Sequence, residues 1–274
     1  MTTPMEQWGW QTLPFRRDAS AEALFDAAGH KEALARLAYV LEHRALGLLT
    51  GEVGSGKTTL IRRLMAGLDE MKYLRLYFCQ LGLKPRDFYG ELLAQLGEPM
   101  PFGLGKARKL WTERIQAQGD RSERQWVVVI DEAQDMTEEM LQELRYVRNQ
   151  HMDATSPFPL ILVGQPEMRR HLRLKKYEAI SQRIDMAYHL TGMSRDETAQ
   201  YIRHQMKLTG GNLPVFTDGA VQMLYAASRG IARMVNHLCT QALYDAAARN
   251  SEAIDEGHIQ RVLTDQEWQR GTAG

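Results

Sequence analysis

The sequence predicts an α/β protein in which a parallel sheet carries helices on both faces and a small all-α region follows. Three observations carry that prediction. Short apolar runs alternate with amphipathic stretches between about residues 45 and 190, as in repeated strand–helix units joined by short loops. Trp126-Val127-Val128-Val129-Ile130 and Pro159-Leu160-Ile161-Leu162-Val163 are apolar throughout, as strands buried on both faces require. From Ser194 onward the spacing is that of helices alone.

Taken in order, residues 1–29 are expected to be irregular, with Trp8, Trp10, Phe15 and Phe25 as apolar anchors. His30 to Arg44 reads as a helix with Leu34, Leu37, Ala38 and Leu41 on one face. Ala45 to Thr50 is a short strand, and Thr59 to Met65 has helical spacing. Tyr73 to Cys79 is a strand rich in aromatic residues. Helices are expected over Pro85–Gln95 and Lys106–Gln118, separated by a loop at 97–105 and followed by an exposed polar stretch at 119–125. Thr137 to Asn149 is the next helix, two helical pieces cover Glu167 to Arg183, and Ala187 to Leu190 is a last strand. Ser194-x-x-Glu197 is a capping box that opens the first of four helices. The others begin near Thr217, Gly230 and Asp255. The expected division is an N-terminal segment 1–29, a core 30–191, a helical region 192–268 and a frayed tail 269–274.

The chain has 274 residues, 44% of them apolar, and a formal net charge of zero. Overall charge therefore names no partner, and any attraction to nucleic acid or membrane has to be local. Cys79 and Cys239, far apart in sequence, are expected to be buried free thiols, in keeping with a cytoplasmic protein. No apolar run reaches the length of a membrane span, so no membrane insertion is expected. The start lacks the basic and apolar regions of a signal peptide. The eight histidines form no ligand-spaced cluster.

Gly51-Glu52-Val53-Gly54-Ser55-Gly56-Lys57-Thr58 fits G-x-x-x-x-G-K-[ST] between a strand and a helix, the context that marks a phosphate-binding loop. Glycines let backbone N–H groups turn toward an oxyanion without Cβ clashes, and the helix adds its positive end. Lys57 would reach the β/γ-phosphates of ATP, and Thr58, followed by Thr59, would hold Mg²⁺. Asp131 and Glu132 end a buried strand at the carboxyl edge of the sheet, where ligands bind in open α/β folds. Asp131 there can hold Mg²⁺, and Glu132 can polarise a water for attack on the γ-phosphate. Gln165 ends the next strand, facing the same place. Arg183 precedes the last strand and is a candidate for completing a neighbouring subunit's site. Arg233 opens a C-terminal helix from which it could report on the nucleotide. Arg145 and Arg148 are weaker rivals of Arg183.

The segment Met168–Lys176 carries Arg169, Arg170, Arg173, Lys175 and Lys176 and no acid, a candidate track for a phosphodiester backbone or else a solvated helix face. Lys106, Arg108, Lys109 and Arg114 form a second basic helix open to the same two readings.

Five stretches together resemble the AAA+ ATPases, and more narrowly the ExeA-type family: Leu48 to Thr59, Val129-Ile130-Asp131-Glu132-Ala133-Gln134, Leu162 to Glu167, Gln182-Arg183-Ile184 and Ser228 to Arg233. The resemblance implies a P-loop AAA+ sheet followed by a helical lid. Lys57 and Thr58 become Walker A residues, Asp131 and Glu132 the Walker B pair, Gln165 sensor 1, Arg183 the arginine finger and Arg233 sensor 2. Ala232 stands where the family usually has Pro. One branch is the membrane-linked ATPase of type II secretion, with a transmembrane helix and a peptidoglycan-binding domain after the ATPase. The other is the helper ATPase of DDE-type transposases, similar in role to the Mu B-protein. Tyr188 to Thr198 and the compact length resemble the second branch. That branch implies an ATP-dependent ring or filament, a homo-oligomer that binds double-stranded DNA and recruits or stimulates the transposase. The alternatives are a secretion or envelope-assembly ATPase acting on protein, and a scaffold that uses ATP only to lock its conformation.

Overall fold

The computed structural model describes residues 2–16, 25–118, 124–148, 156–210 and 215–271. Positions 119–123 of the expected polar stretch, Asn149 at the expected helix end and tail residues 272–274 lie outside the described residues. The chain divides into two compact units. One is Glu32–Gly51 with Lys57–Leu190; the other is Met1–Lys31, Glu52–Gly56 and Thr191–Gly274.

The first unit is built on five parallel strands, β1 (Leu46–Gly51), β2 (Tyr73–Phe78), β3 (Gln125–Ile130), β4 (Leu160–Gly164) and β5 (Met186–Leu190). Their order across the sheet is β2-β3-β4-β1-β5. Alternation along β3 sends Trp126, Val128 and Ile130 into one core and Val127 and Val129 into another. Along β4, Leu160 and Leu162 join the first core while Ile161 and Val163 join the second. Both strands are thus apolar because neither face meets water, and each such side chain contributes about 1.5–3 kcal/mol.

Helices α4 (Pro85–Gln95), α5 (Leu104–Gln118) and α6 (Glu138–Arg148) supply much of the first core. Helices α2 (Ala28–Glu42) and α3 (Lys57–Ala66) supply Leu37, Val40, Leu60 and Ile61 to the second. Glu143 of α6 is buried at 2% exposure. The Tyr89 hydroxyl donates to it at 2.8 Å and Arg108 grips both of its oxygens. Lys109 pairs with Glu113 and Arg114 with Glu98. The basic helix read at 106–118 therefore directs three of its four cations into the protein's own carboxylates.

The second unit gathers α9 (Arg195–Lys207), α10 (Asp218–Ser228), α11 (Ala232–Ala248) and α12 (Glu256–Gly271). Three sequence expectations need correction here and in the sheet. Residues 1–29 are not wholly irregular: α1 (Pro4–Trp8) forms behind a capping box between Thr3 and Glu6. Trp10, Phe15 and Ala27 enter the core of the C-terminal helices, and Trp8 donates its indole N–H to the Glu252 carbonyl at 3.1 Å. Residues 269–271 continue α12 instead of fraying. Cys239 is buried, which pushes its thiol well above the usual range, but Cys79 is exposed because β2 stops at Phe78.

The capping box at Ser194 has a further partner. Glu197 accepts from the Ser194 backbone N–H at 2.9 Å and from the Ala28 N–H at 2.7 Å. Partial burial opposes its charge, yet these bonds hold its carboxyl below the usual glutamate range. A depressed folded value stabilises above the unfolded value of about 4.3 and is lost as pH falls through the folded one. Glu197→Ala is therefore expected to cost about 1 kcal/mol at neutral pH. In chemical denaturation the gap to the wild type should close below about pH 4; a gap that persists at pH 2 would show that the carboxylate is not its source.

Candidate functional site

The register of the sheet assembles the site. Leu162 lies opposite Leu48 on one side and Ile130 on the other, so β1, β4 and β3 reach the carboxyl edge together. Within the sheet unit three stretches follow that edge: Gly51 at the end of β1, the Asp131-Glu132 turn after β3, and Gln165 after β4. This is the crevice position at which open parallel sheets bind ligands.

In the sheet unit, Lys57 opens α3 and is 7% exposed, with Nζ donating to the Gly51 carbonyl at 2.8 Å. The Thr58 hydroxyl donates to Asp131 Oδ2 at 2.8 Å. Asp131 is 2% exposed, and its Oδ1 accepts the Glu132 backbone N–H at 2.8 Å. Hydroxyl and carboxylate oxygens are the hard donors that Mg²⁺ requires, and these two meet at hydrogen-bond distance. The donor set thus fits the ion expected from the sequence.

Glu132 has left-handed backbone angles, φ 50° and ψ 42°, at the turn into a short 3₁₀ segment, Ala133–Asp135. The Gln165 amide reaches Glu132 Oε2 at 3.4 Å, so the structure brings the proposed base and the proposed sensor together. Gln134 bonds both of them. Its Nε2 donates to Glu132 Oε2 at 2.8 Å, and its Oε1 accepts the Gln165 backbone N–H at 2.9 Å.

Sequence reasoning missed Tyr77. Its hydroxyl donates to Asp131 Oδ2 at 2.6 Å, the same oxygen that Thr58 uses. Burial and the Asp131 carboxylate push the Tyr77 phenol above its usual range, so it stays a donor. The signal was present: Leu74, Leu76 and Phe78 point to the apolar side of β2, so Tyr77 faces the other way, one residue from the strand end.

In the helical unit, Gly54 (φ 83°) and Gly56 (φ 100°) hold conformations that side-chain-bearing residues rarely adopt. The Gly54 carbonyl accepts the Arg233 backbone N–H at 3.1 Å. A Cβ on Gly54 would lie 2.5 Å from Arg233 Cβ, and one on Gly56 would lie 2.7 Å from His30 Nε2. Ser55 Oγ is buried without a hydrogen-bond partner among the described residues, as suits a group waiting for a polar ligand. Glu52 and Val53 are exposed at the tip. Arg233 stands at the start of α11 with its side chain exposed.

Arg183 is not brought to this cluster. It follows α8 (Glu178–Ser181), its Nη1 donating to the Ala179 carbonyl at 3.4 Å, and it precedes β5. Met186 pairs with Gly47 and Leu190 with Gly51, so Arg183 lies at the amino edge of the sheet. A strand length, about 16–20 Å, separates it from Gly51 at the carboxyl end of β1.

Arg169, Arg170, Arg173, Lys175 and Lys176 are all exposed along α7 (Pro166–Leu172) and the 3₁₀ turn Lys175–Tyr177. Arg170 pairs with Glu167, just outside the acid-free segment. Lys176 pairs with Glu138 at 2.7 Å and lies over the Tyr177 ring. Arg169, Arg173 and Lys175 have no ion-pair partner among the described residues.

Residues 40–172 match the AAA domain family. The chain is 34% identical over 260 residues to General secretion pathway protein A of Aeromonas hydrophila, covering 92% of this chain and 46% of that protein. It thus spans about half the length of that relative. Among solved structures it is similar to Cdc6p from Pyrobaculum aerophilum, with a TM-score of 0.64 at 14% identity over 92% of this chain and 70% of the other. It is also similar to Drosophila ORC bound to DNA, with a TM-score of 0.59 at 17% identity over 96% of this chain and 65% of that one. Among the described residues no helix is long and apolar enough to cross a membrane.

Proposed function

With an AAA domain over residues 40–172 and a P-loop AAA+ fold as the premise, we propose that this chain is an ExeA-type ATPase that couples ATP binding to DNA binding in a homo-oligomer and serves DNA transposition. The observation that carries the catalytic half is the convergence of Lys57, Thr58, Asp131, Glu132 and Gln165 at one edge of the sheet. Lys57 would meet the β- and γ-phosphates, with the glycine-loop N–H groups around them. Thr58 and Asp131 would hold Mg²⁺, which supplies charge neutralisation on the phosphates. Glu132 takes a proton from the attacking water, and Gln165 orients that water beside the γ-phosphate. Arg183, a strand length from Gly51 at the carboxyl end of β1, serves the nucleotide of a neighbouring subunit, so hydrolysis belongs to the assembly. Arg233 contributes from the helical unit.

The DNA half rests on the exposed cations of α7 and the turn after it. Three of the five are not committed to carboxylates, which leaves charge for phosphate contacts. The similar Drosophila ORC is bound to DNA, which supports the same use of the fold here. A DDE-type transposase is the proposed protein partner, with recruitment or stimulation as the output and the cytoplasm as the place. A second reading is favoured by the identity to General secretion pathway protein A: a secretion or envelope-assembly ATPase acting on protein.

Fluorescence anisotropy with labelled duplex DNA separates the two. Binding should require ATP, and Arg169→Ala/Arg173→Ala/Lys175→Ala should weaken it while making the slope of log K against log salt shallower by about 3. Absence of ATP-dependent binding by the wild type would remove the DNA reading and leave the secretion-type one.

A further inference from the structure

We infer that Gln134 is a positioning residue that fixes the base Glu132 and the strand-end Gln165 in a single geometry. The inference rests on the ATPase reading above and assigns a role to a residue which that reading leaves without one.

One side-chain amide is used at both ends. Gln134 Nε2 donates to Glu132 Oε2 at 2.8 Å and to Asp135 Oδ2 at 3.2 Å. Gln134 Oε1 accepts the Gln165 backbone N–H at 2.9 Å. The orientation of the amide follows from its partners, two acceptors on the nitrogen side and one donor on the oxygen side. Gln165 Nε2 approaches the same Oε2 of Glu132 at 3.4 Å. Glu132, Gln134 and Gln165 thereby close a ring of polar contacts across the ends of β3 and β4.

The fold makes room for this amide. Gly164, the last residue of β4, carries no Cβ where one would stand 2.9 Å from Gln134 Oε1 and 3.3 Å from Met168 Cβ. Any side chain at 164 would displace Gln134 or α7. The left-handed turn at Glu132 brings its carboxylate back over the residue two places on, which an extended backbone there would not do. A general base acts only when its oxygen is held within hydrogen-bond reach of the proton it takes, and small misplacements are costly. Gln134 supplies that hold on one carboxylate oxygen, and its grip on the Gln165 N–H ties the hold to the residue proposed to orient the water.

Two substitutions separate the roles. Gln134→Ala removes all three bonds. Gln134→Glu keeps the size and the acceptor for the Gln165 N–H but replaces the donor to Glu132 with a second carboxylate. Both variants are expected to lower kcat for ATP by about 10- to 100-fold with KM within about twofold of the wild type, because the amide is spent on Glu132, Asp135 and the Gln165 N–H and acts through them. Amide hydrogen exchange at Gln165 should rise in Gln134→Ala and stay protected in Gln134→Glu. A Gln134→Glu protein with wild-type kcat would overturn the inference, since the donor to Glu132 is lost there, along with the longer bond to Asp135, while the acceptor for the Gln165 N–H is kept. A raised KM at unchanged kcat would overturn it too. Wild-type turnover in the same series tests the ATPase reading separately: with normal wild-type turnover, an unaffected variant removes the inference alone, whereas a wild type without turnover removes the reading beneath it.

Discussion

Arg183→Ala is expected to lower ATP turnover of the assembled protein by about 10³-fold or more, while each subunit still binds nucleotide. The size follows from the charge that an arginine supplied by a neighbour places on a transferring phosphoryl group. The sign of the binding result follows from position. Arg183 sits ahead of β5, at the amino edge of the sheet, while Lys57, Asp131 and Gln165 sit at or beyond the carboxyl edge. Loss of its side chain therefore leaves the site of its own chain intact. Mixing supplies the decisive control. Subunits carrying Arg183→Ala keep a complete phosphate site but give their neighbour no arginine; subunits carrying Lys57→Ala do the reverse. A mixture of the two should regain turnover that neither has alone. Full activity of Arg183→Ala by itself, or a mixture no better than its parts, would show that Arg183 acts within its own chain or not at all.

Lys57→Ala is the second large effect: turnover falling by about 10²- to 10³-fold, with ATP affinity falling as well. Lys57 is 7% exposed, and Nζ is held by the Gly51 carbonyl at 2.8 Å. Its ammonium is thus placed by the end of β1, and little reorganisation is needed when a polyphosphate arrives. Alanine leaves the loop without its cation. Because the cation would meet the phosphates in the bound complex and more strongly as charge shifts in the reacting one, KM should rise and kcat should fall. The contrast with Arg183→Ala, where affinity holds, separates the two cations by role. Steady-state phosphate release and titration with a fluorescent ATP analogue are the measurements; wild-type turnover in Lys57→Ala would refute the ATPase assignment.

Much of this was legible in the residues, and the reason differs from place to place. β3 and β4 announce themselves because burial on both faces removes every polar residue from the run. The capping box at Ser194 and the glycine loop are local patterns, complete within a few positions. Thr3-Pro4-Met5-Glu6 has the same form as Ser194-x-x-Glu197, but its helix is five residues long and lacks an apolar period, so the segment reads as irregular. Cys79 continues an apolar run in sequence, while the last β2–β3 pair is Phe78 with Ile130, which leaves the thiol beyond the strand. The partners of Tyr77, Gln134 and His30 were out of reach for another reason. Each pair joins two different segments: Tyr77 near the end of β2 meets Asp131 after β3, Gln134 after β3 meets Gln165 after β4, and His30 faces Gly56 from a helix that precedes β1. No spacing rule connects such positions, because the sheet order that joins them is itself a tertiary result.

The crowding around the glycine loop bears on how diverging copies of this chain would be interpreted. Gly54 is pressed by Arg233 Cβ and Gly56 by His30, and both hold left-handed angles. Either position would resist replacement even in a descendant that no longer handled ATP, because the obstacle is the protein's own side chains. Retained glycines in a relative would then testify to packing, and loss of activity would show first at Lys57 or Glu132, where a substitution meets no such steric obstacle. Drift in this family should therefore be dated by its charged residues, with the glycines as the slowest clock.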